Sequence, residues 1–142
     1  MTASTKATIT VQTTVNAPVE KAWKIWNEPE HITKWCTASP DWHTPRAEND
    51  LRVGGKLFSR MEAKDGSAGF DFVGTYTDVQ IHKVIAYTMD DGRNVTINFT
   101  SEGKTTTLVE TFDAENENPV ELQREGWQTI LNNFKAHVEK IS

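Results

Sequence analysis

Polar and apolar residues alternate from Thr8 to Val15, with Ile9, Val11 and Val15 on one face and Thr8, Thr10, Gln12 and Thr14 on the other. That pattern predicts a half-buried strand. Pro18 then stands where a helix accepts proline, at its first position, and Glu20 falls in the first turn, where the helix dipole favours an acid. Ala22, Trp23, Ile25 and Trp26 give this segment an apolar side. Pro29 repeats the device after Glu28, with Ile32 and Trp35 three residues apart, so residues 18–36 are predicted to form two short consecutive helices. Residues 37–45 carry two prolines and no period, which predicts a loop holding Trp42 and His43.

From residue 46 the pattern is β again, punctuated by Gly54-Gly55, Asp65-Gly66, Asp91-Gly92 and Glu102-Gly103. Such pairs between alternating runs signal hairpins. They predict strands near 46–53, 56–63, 69–79, 84–89, 93–100 and 104–113, which with the first makes about seven. Parity places Phe70, Phe72, Gly74 and Tyr76 on the inner face, with Ile85, Tyr87 and Met89 and with Val95, Ile97 and Phe99. The opposite parity is rich in threonine, which suits a solvated surface. The run 105–112 is ambiguous: if Leu108 and Phe112 point inward, so does Glu110, and a buried carboxylate needs a partner.

After an acidic, Asn-rich loop over 113–118, Pro119 precedes a helical pattern. Trp127, Ile130, Leu131, Phe134, Val138 and Ile141 recur at spacings of three and four, forming one stripe on a helix of about twenty residues. Only the inner face of the sheet is large enough to cover that stripe. The expected fold is therefore α+β, a curved antiparallel sheet of six to seven strands wrapped around a long C-terminal helix, in one domain spanning residues 1–142.

Charge and composition narrow the partners. Twenty acidic against fifteen basic residues give a formal charge of -5, and no basic stripe interrupts it, which argues against nucleic acid and anionic membranes. A single cysteine, Cys36, forms no intramolecular disulfide and suits a reducing compartment. The first residues show no leader and no apolar run reaches a membrane span, so a cytoplasmic location is expected. The five tryptophans and six phenylalanines concentrate the apolar mass in a few large rings.

The order strand, two short helices, six-strand meander and long helix resembles the helix-grip fold of the START-like, or SRPBCC, superfamily. Within it the chain is similar to the family named for activators of the ninety-kilodalton heat-shock chaperone ATPase, in its stand-alone bacterial form. The resemblance rests on Ala17-Pro18-Val19-Glu20-Lys21-Ala22-Trp23, Glu28-Pro29-Glu30-His31-Ile32-Thr33-Lys34-Trp35, Val53-Gly54-Gly55-Lys56-Leu57-Phe58, Gly74-Thr75-Tyr76-Thr77-Asp78-Val79 and Gly126-Trp127. It implies a cavity between the long helix and the concave sheet, used in relatives for lipids, polyketides or plant hormones. It also implies a chaperone partner and a role in stress response. The chain departs from the family where a proline is expected between the fourth and fifth strands; it has Gln80-Ile81-His82-Lys83. The resemblance is to the stand-alone form, so the extra N-terminal domain of the eukaryotic activators is not expected.

The expected ligand-lining residues are Trp35, Trp42, Phe58, Phe72, Tyr76 and Tyr87 on the sheet side and its approaches, with Phe99, Trp127, Leu131 and Phe134 beneath and along the helix. His43, Arg60, Glu62 and Glu110 are the candidate polar pocket residues. Against a metal stands the scatter of His31, His43, His82 and His137, and Cys36 beside Trp35 reads as a small buried hydrophobe. The leading function is a cofactor-free module that binds an apolar or amphipathic small molecule, as a monomer or weak homodimer. The alternatives are a chaperone-interacting regulator of a heat-shock ATPase and a cofactor-free enzyme, a cyclase, dehydratase or hydrolase, acting in the same cavity. The enzyme requires at least two of the four polar residues to converge inside.

Overall fold

The computed structural model describes residues 8–37, 39–115 and 118–141. The expectation of no leader, made on the first residues, lies outside them, as do position 38 of the first expected loop and positions 116–117 of the second. The elements are β1 (Thr8–Val15), α1 (Val19–Asn27), α2 (Pro29–Trp35), β2 (Trp42–Asn49), β3 (Lys56–Ala63), β4 (Gly69–Gln80), β5 (Val84–Met89), β6 (Asn94–Glu102), β7 (Thr105–Asp113) and α3 (Val120–Lys140). The seven strands form one antiparallel sheet in the order β1-β7-β6-β5-β4-β3-β2, a meander closed back by the first strand. This is the curved sheet around a long helix that the hydropathy pattern predicts, and the helix-grip arrangement that the resemblance implies.

One boundary needs correction. Residues 37–45 are not all loop: β2 begins at Trp42 and ends at Asn49, and residues 50–53 lie outside any strand where strand is expected. Pro45 misleads because β2 is an edge strand and the proline sits in the irregularity between His43 and Arg46, where its missing N–H breaks no ladder bond. Pro18 likewise lies just outside α1, its carbonyl accepting from the Lys21 and Ala22 amides at 3.1 Å.

The sheet curls until its two edges meet the helices: α3 packs along β1, and α2 packs against β2. The two halves of α3 do different work. Leu131, Phe134 and Val138 in the second half are wholly buried, and Phe134 meets the rings of Trp26 and Trp35 at 4.9 and 5.1 Å. Trp26 and Trp23 continue the cluster onto Phe99 of β6 at 6.0 and 5.1 Å. In the first half, Trp127 stacks on Phe112 of β7 at 3.8 Å and its ring meets the edge of Phe72 on β4 at 6.3 Å, reaching across a part of the inner face that is not packed solid.

Two local features set which side chains face inward. A bulge at Thr77 of β4 opposes two residues to one on β5, so Tyr76 and Val79 both reach the inner side although their parities differ. At Gly74 of β4, an added Cβ would lie 2.7 Å from Tyr87 Cδ2, so the absence of a side chain is what lets that ring lie flat over the strand. Gly74→Ala should therefore destabilise the fold by about 1–3 kcal/mol in urea unfolding, through overpacking, whereas Gly66→Ala, with open space around its Cβ, pays only for its positive φ.

Candidate functional site

The uncovered part of the inner face is hollow. A cavity of about 840 Å³ lies between the first half of α3, the end of α1, α2 and strands β2 to β5 and β7. Of the residues expected to line it, Trp35, Trp42, Phe72, Tyr76, Tyr87 and Trp127 do so. Phe58 stands on the other face of β3, under the Arg46 guanidinium 4.9 Å from its ring. Phe99, Leu131 and Phe134 lie in the packed core next to the cavity and are outside its wall.

The polar candidates divide similarly. Arg60 and Glu62 share the parity of Phe58 and face away; Arg60 holds Glu62 at 2.9 Å and Asp71 at 3.1 Å. The register explains this, because Ser59 is paired with Phe72, so Leu57, Ser59 and Met61 are the inward residues of β3. His43 is at the rim, with its side chain 45% exposed and Glu62 3.8 Å away. Glu110 lies deep in the wall with 4% exposure. The two polar candidates that line the cavity thus occupy its rim and its depth.

Several wall residues escaped the sequence reading. Asn49 accepts a hydrogen bond from the Tyr76 hydroxyl and donates to the Asn27 carbonyl at 2.8 Å, tying β2 and β4 to the end of α1. Thr44, almost wholly buried on β2, donates to the Cys36 carbonyl at 2.6 Å and fixes the chain after α2. Gln123 of α3 donates to the Asn118 carbonyl at 2.8 Å and accepts from the Glu115 amide at 2.9 Å, which straps the approach to α3 over the cavity. None of these asparagine, threonine and glutamine side chains carries a periodicity signal, because each works through a backbone group distant in sequence.

Electrostatically the interior is protonated and neutral. Burial pushes the Glu110 carboxyl up to about 8. Burial, and then the neighbouring Glu110, push the Cys36 thiol up to about 12, so it is no activated nucleophile. Tyr87 is raised well above the ordinary phenol range by the same two causes in the same order. Among the described residues no group hydrogen-bonds to the Glu110 carboxyl; its strand neighbours are Val11 and Ile97. The one cluster of potential metal ligands among the described residues, Glu28, Glu30 and His31, is at the start of α2, outside the cavity wall.

A family model described as Activator of Hsp90 ATPase homolog 1-like protein matches residues 16–139. The solution structure of an AHSA1-like protein from Aeromonas hydrophila superposes with a TM-score of 0.88 at 46% identity, over 94% of this chain and 93% of that one. A solution structure from Cytophaga hutchinsonii is 56% identical with a TM-score of 0.79, over 95% and 92%. A crystal structure from Chromobacterium violaceum, 25% identical over 93% and 96%, has a TM-score of 0.83. No curated protein matches.

The buried carboxyl generates a test of the site's geometry. Unfolded, Glu110 takes an ordinary value near 4.5; folded, it titrates near 8, so the native state holds a proton that the unfolded state has lost between those pH values. The wild-type chain should lose stability as pH rises from about 4.5 to about 8, relative to Glu110→Gln. The variant should be more stable by roughly 3–5 kcal/mol at pH 9 and close to wild type at pH 4, as measured by denaturant unfolding across pH.

Proposed function

The chain belongs to the Activator of Hsp90 ATPase homolog 1-like family, within the START-like superfamily, and from that premise we propose that it is a small-molecule binding module holding an apolar or amphipathic ligand between α3 and the sheet. The fold supports a ligand-binding or regulatory module in general. What carries the finer reading is the cavity: its volume of about 840 Å³ lies well above the roughly 300 Å³ at which small-molecule pockets begin. Tryptophan, phenylalanine and tyrosine side chains from α1, α2, β2, β4, β5 and α3 line it, so aromatic rings face the space from most sides. Filling that space with water would leave those rings facing solvent at about 25 cal/mol per Å².

The module is read as one domain over residues 1–142, acting in the cytoplasm without a cofactor. Among the described residues no helix is long and apolar enough to cross a membrane. The chaperone reading draws on the family description. The enzyme reading loses two of its four residues, since Arg60 and Glu62 pair with each other outside the cavity wall.

A neutral fluorescent probe, N-phenyl-1-naphthylamine, should bind with one site per chain and quench the wall tryptophans. Ser59→Phe aims a ring into the cavity from the centre of β3, where Ser59 is 4% exposed. It should weaken the probe by about tenfold or more, close to 1.4 kcal/mol, with little change in unfolding midpoint. Equal binding to both proteins would remove the cavity as the site.

A further inference from the structure

An apolar ligand leaves two polar groups of the cavity wall unexplained, the buried Asn27 Oδ1, which has no hydrogen-bond partner among the described residues, and the Glu110 carboxyl; of the two, only the carboxyl can carry a charge. A carboxyl at 4% exposure, on the wall of a cavity and without a hydrogen-bond partner among the described residues, costs folding energy that a leucine or glutamine there would not. It sits on the inner parity of β7 between Leu108 and Phe112, with Val11 and Ile97 beside it on the flanking strands, so its head has only the cavity to turn to.

Resting on the reading of the cavity as a small-molecule site, we propose that its ligand is an apolar amine whose ammonium group pairs with the Glu110 carboxylate at the buried end. Three observations converge on a cation. First, Glu48 and Asp71 at the rim are held by Arg46 at 2.7 Å and Arg60 at 3.1 Å, which leaves Asp90 and the buried Glu110 as the wall carboxylates without a basic partner among the described residues. Second, Arg93 is the one Lys or Arg in the wall among the described residues, and Asp91 holds it at 2.8 Å with Glu115 at 4.0 Å, so no cation is left for an anionic ligand. Third, the wall presents tryptophan and tyrosine rings, whose faces attract an ammonium and offset part of its lost hydration.

A neutral ligand with a carbonyl would need only a donor, which glutamine supplies without the penalty of a carboxyl. A charge is needed only where the partner is charged. The groups facing Glu110 do not supply one. Cys36 at the end of α2 and Tyr87 on β5 are held protonated and uncharged by burial, and the wall residues of α3, Gln123, Trp127 and Ile130 among them, carry no charge. On binding, the ammonium keeps its proton, the Glu110 carboxyl gives its own to solvent, and the ion pair forms in the apolar interior. One proton is therefore released per ligand below pH about 8, and amine affinity rises with pH toward that value.

Three probes with one skeleton test this: 6-phenylhexylamine, 6-phenylhexanol and 6-phenylhexanoate, titrated by calorimetry at pH 7 in two buffers of different ionisation enthalpy. The amine should bind about tenfold or more tightly than the alcohol and the carboxylate most weakly. Comparison of the buffers should give about one proton released for the amine and none for the alcohol. Glu110→Gln should abolish the amine's advantage while leaving alcohol affinity within about threefold. If that variant does not fold, proton release in the wild type decides by itself. Alcohol and amine binding equally, without proton release, would overturn the amine assignment and leave the cavity reading standing; no binding of any probe would overturn both.

Discussion

One helix cannot cover this sheet. Seven strands at about 4.8 Å spacing make a surface roughly 29 Å across, whereas a helix with its side chains is about 10–12 Å wide. Curling brings β1 up to α3 and β2 up to α2, but a curved sheet encloses more volume than one helix and two short ones fill. The consequences follow in order. The second half of α3 packs solidly with Trp26, Trp35 and Phe134, the first half spans a gap beside Trp127, and the gap is the cavity. The division falls within α3 because its apolar stripe thins toward the N-terminus, where Leu122 is already 55% exposed.

Much of this frame is legible in the chain. Periodicity alone yields seven strands, two short helices and a long third one, since each half-buried element must alternate or repeat to keep one face dry. Parity also assigns the inner faces of β5 and β6 correctly, as Ile85, Tyr87, Val95 and Ile97 are all buried. What parity does not fix is the face of a strand that is apolar or polar on both sides. On β3, Leu57 and Phe58 are neighbours of equal hydropathy, and only the pairing of Ser59 with Phe72 decides between them. Arg60 and Glu62 follow Phe58 outward for that reason.

The cavity's polar fittings were hidden for a different cause. Asn49, Thr44 and Gln123 act on backbone groups far along the chain, and no local spacing encodes a partner of that kind. Glu110 is the exception. Leu108 and Phe112 flank it at the same parity, so an inward carboxyl was visible as a possibility from the pattern, while its lack of a partner required the neighbouring strands to be in place. Such a group in a cavity wall carries a structural cost, and the proposed ligand is what accounts for it.

The central claim is that the space α3 leaves uncovered is built to be occupied. Native mass spectrometry of the protein purified gently from its own host tests it most directly. The account predicts a species heavier than the polypeptide by one small molecule, lost on denaturation and absent from Ser59→Phe. The bare polypeptide mass, under conditions that retain a bound naphthylamine probe, would contradict it.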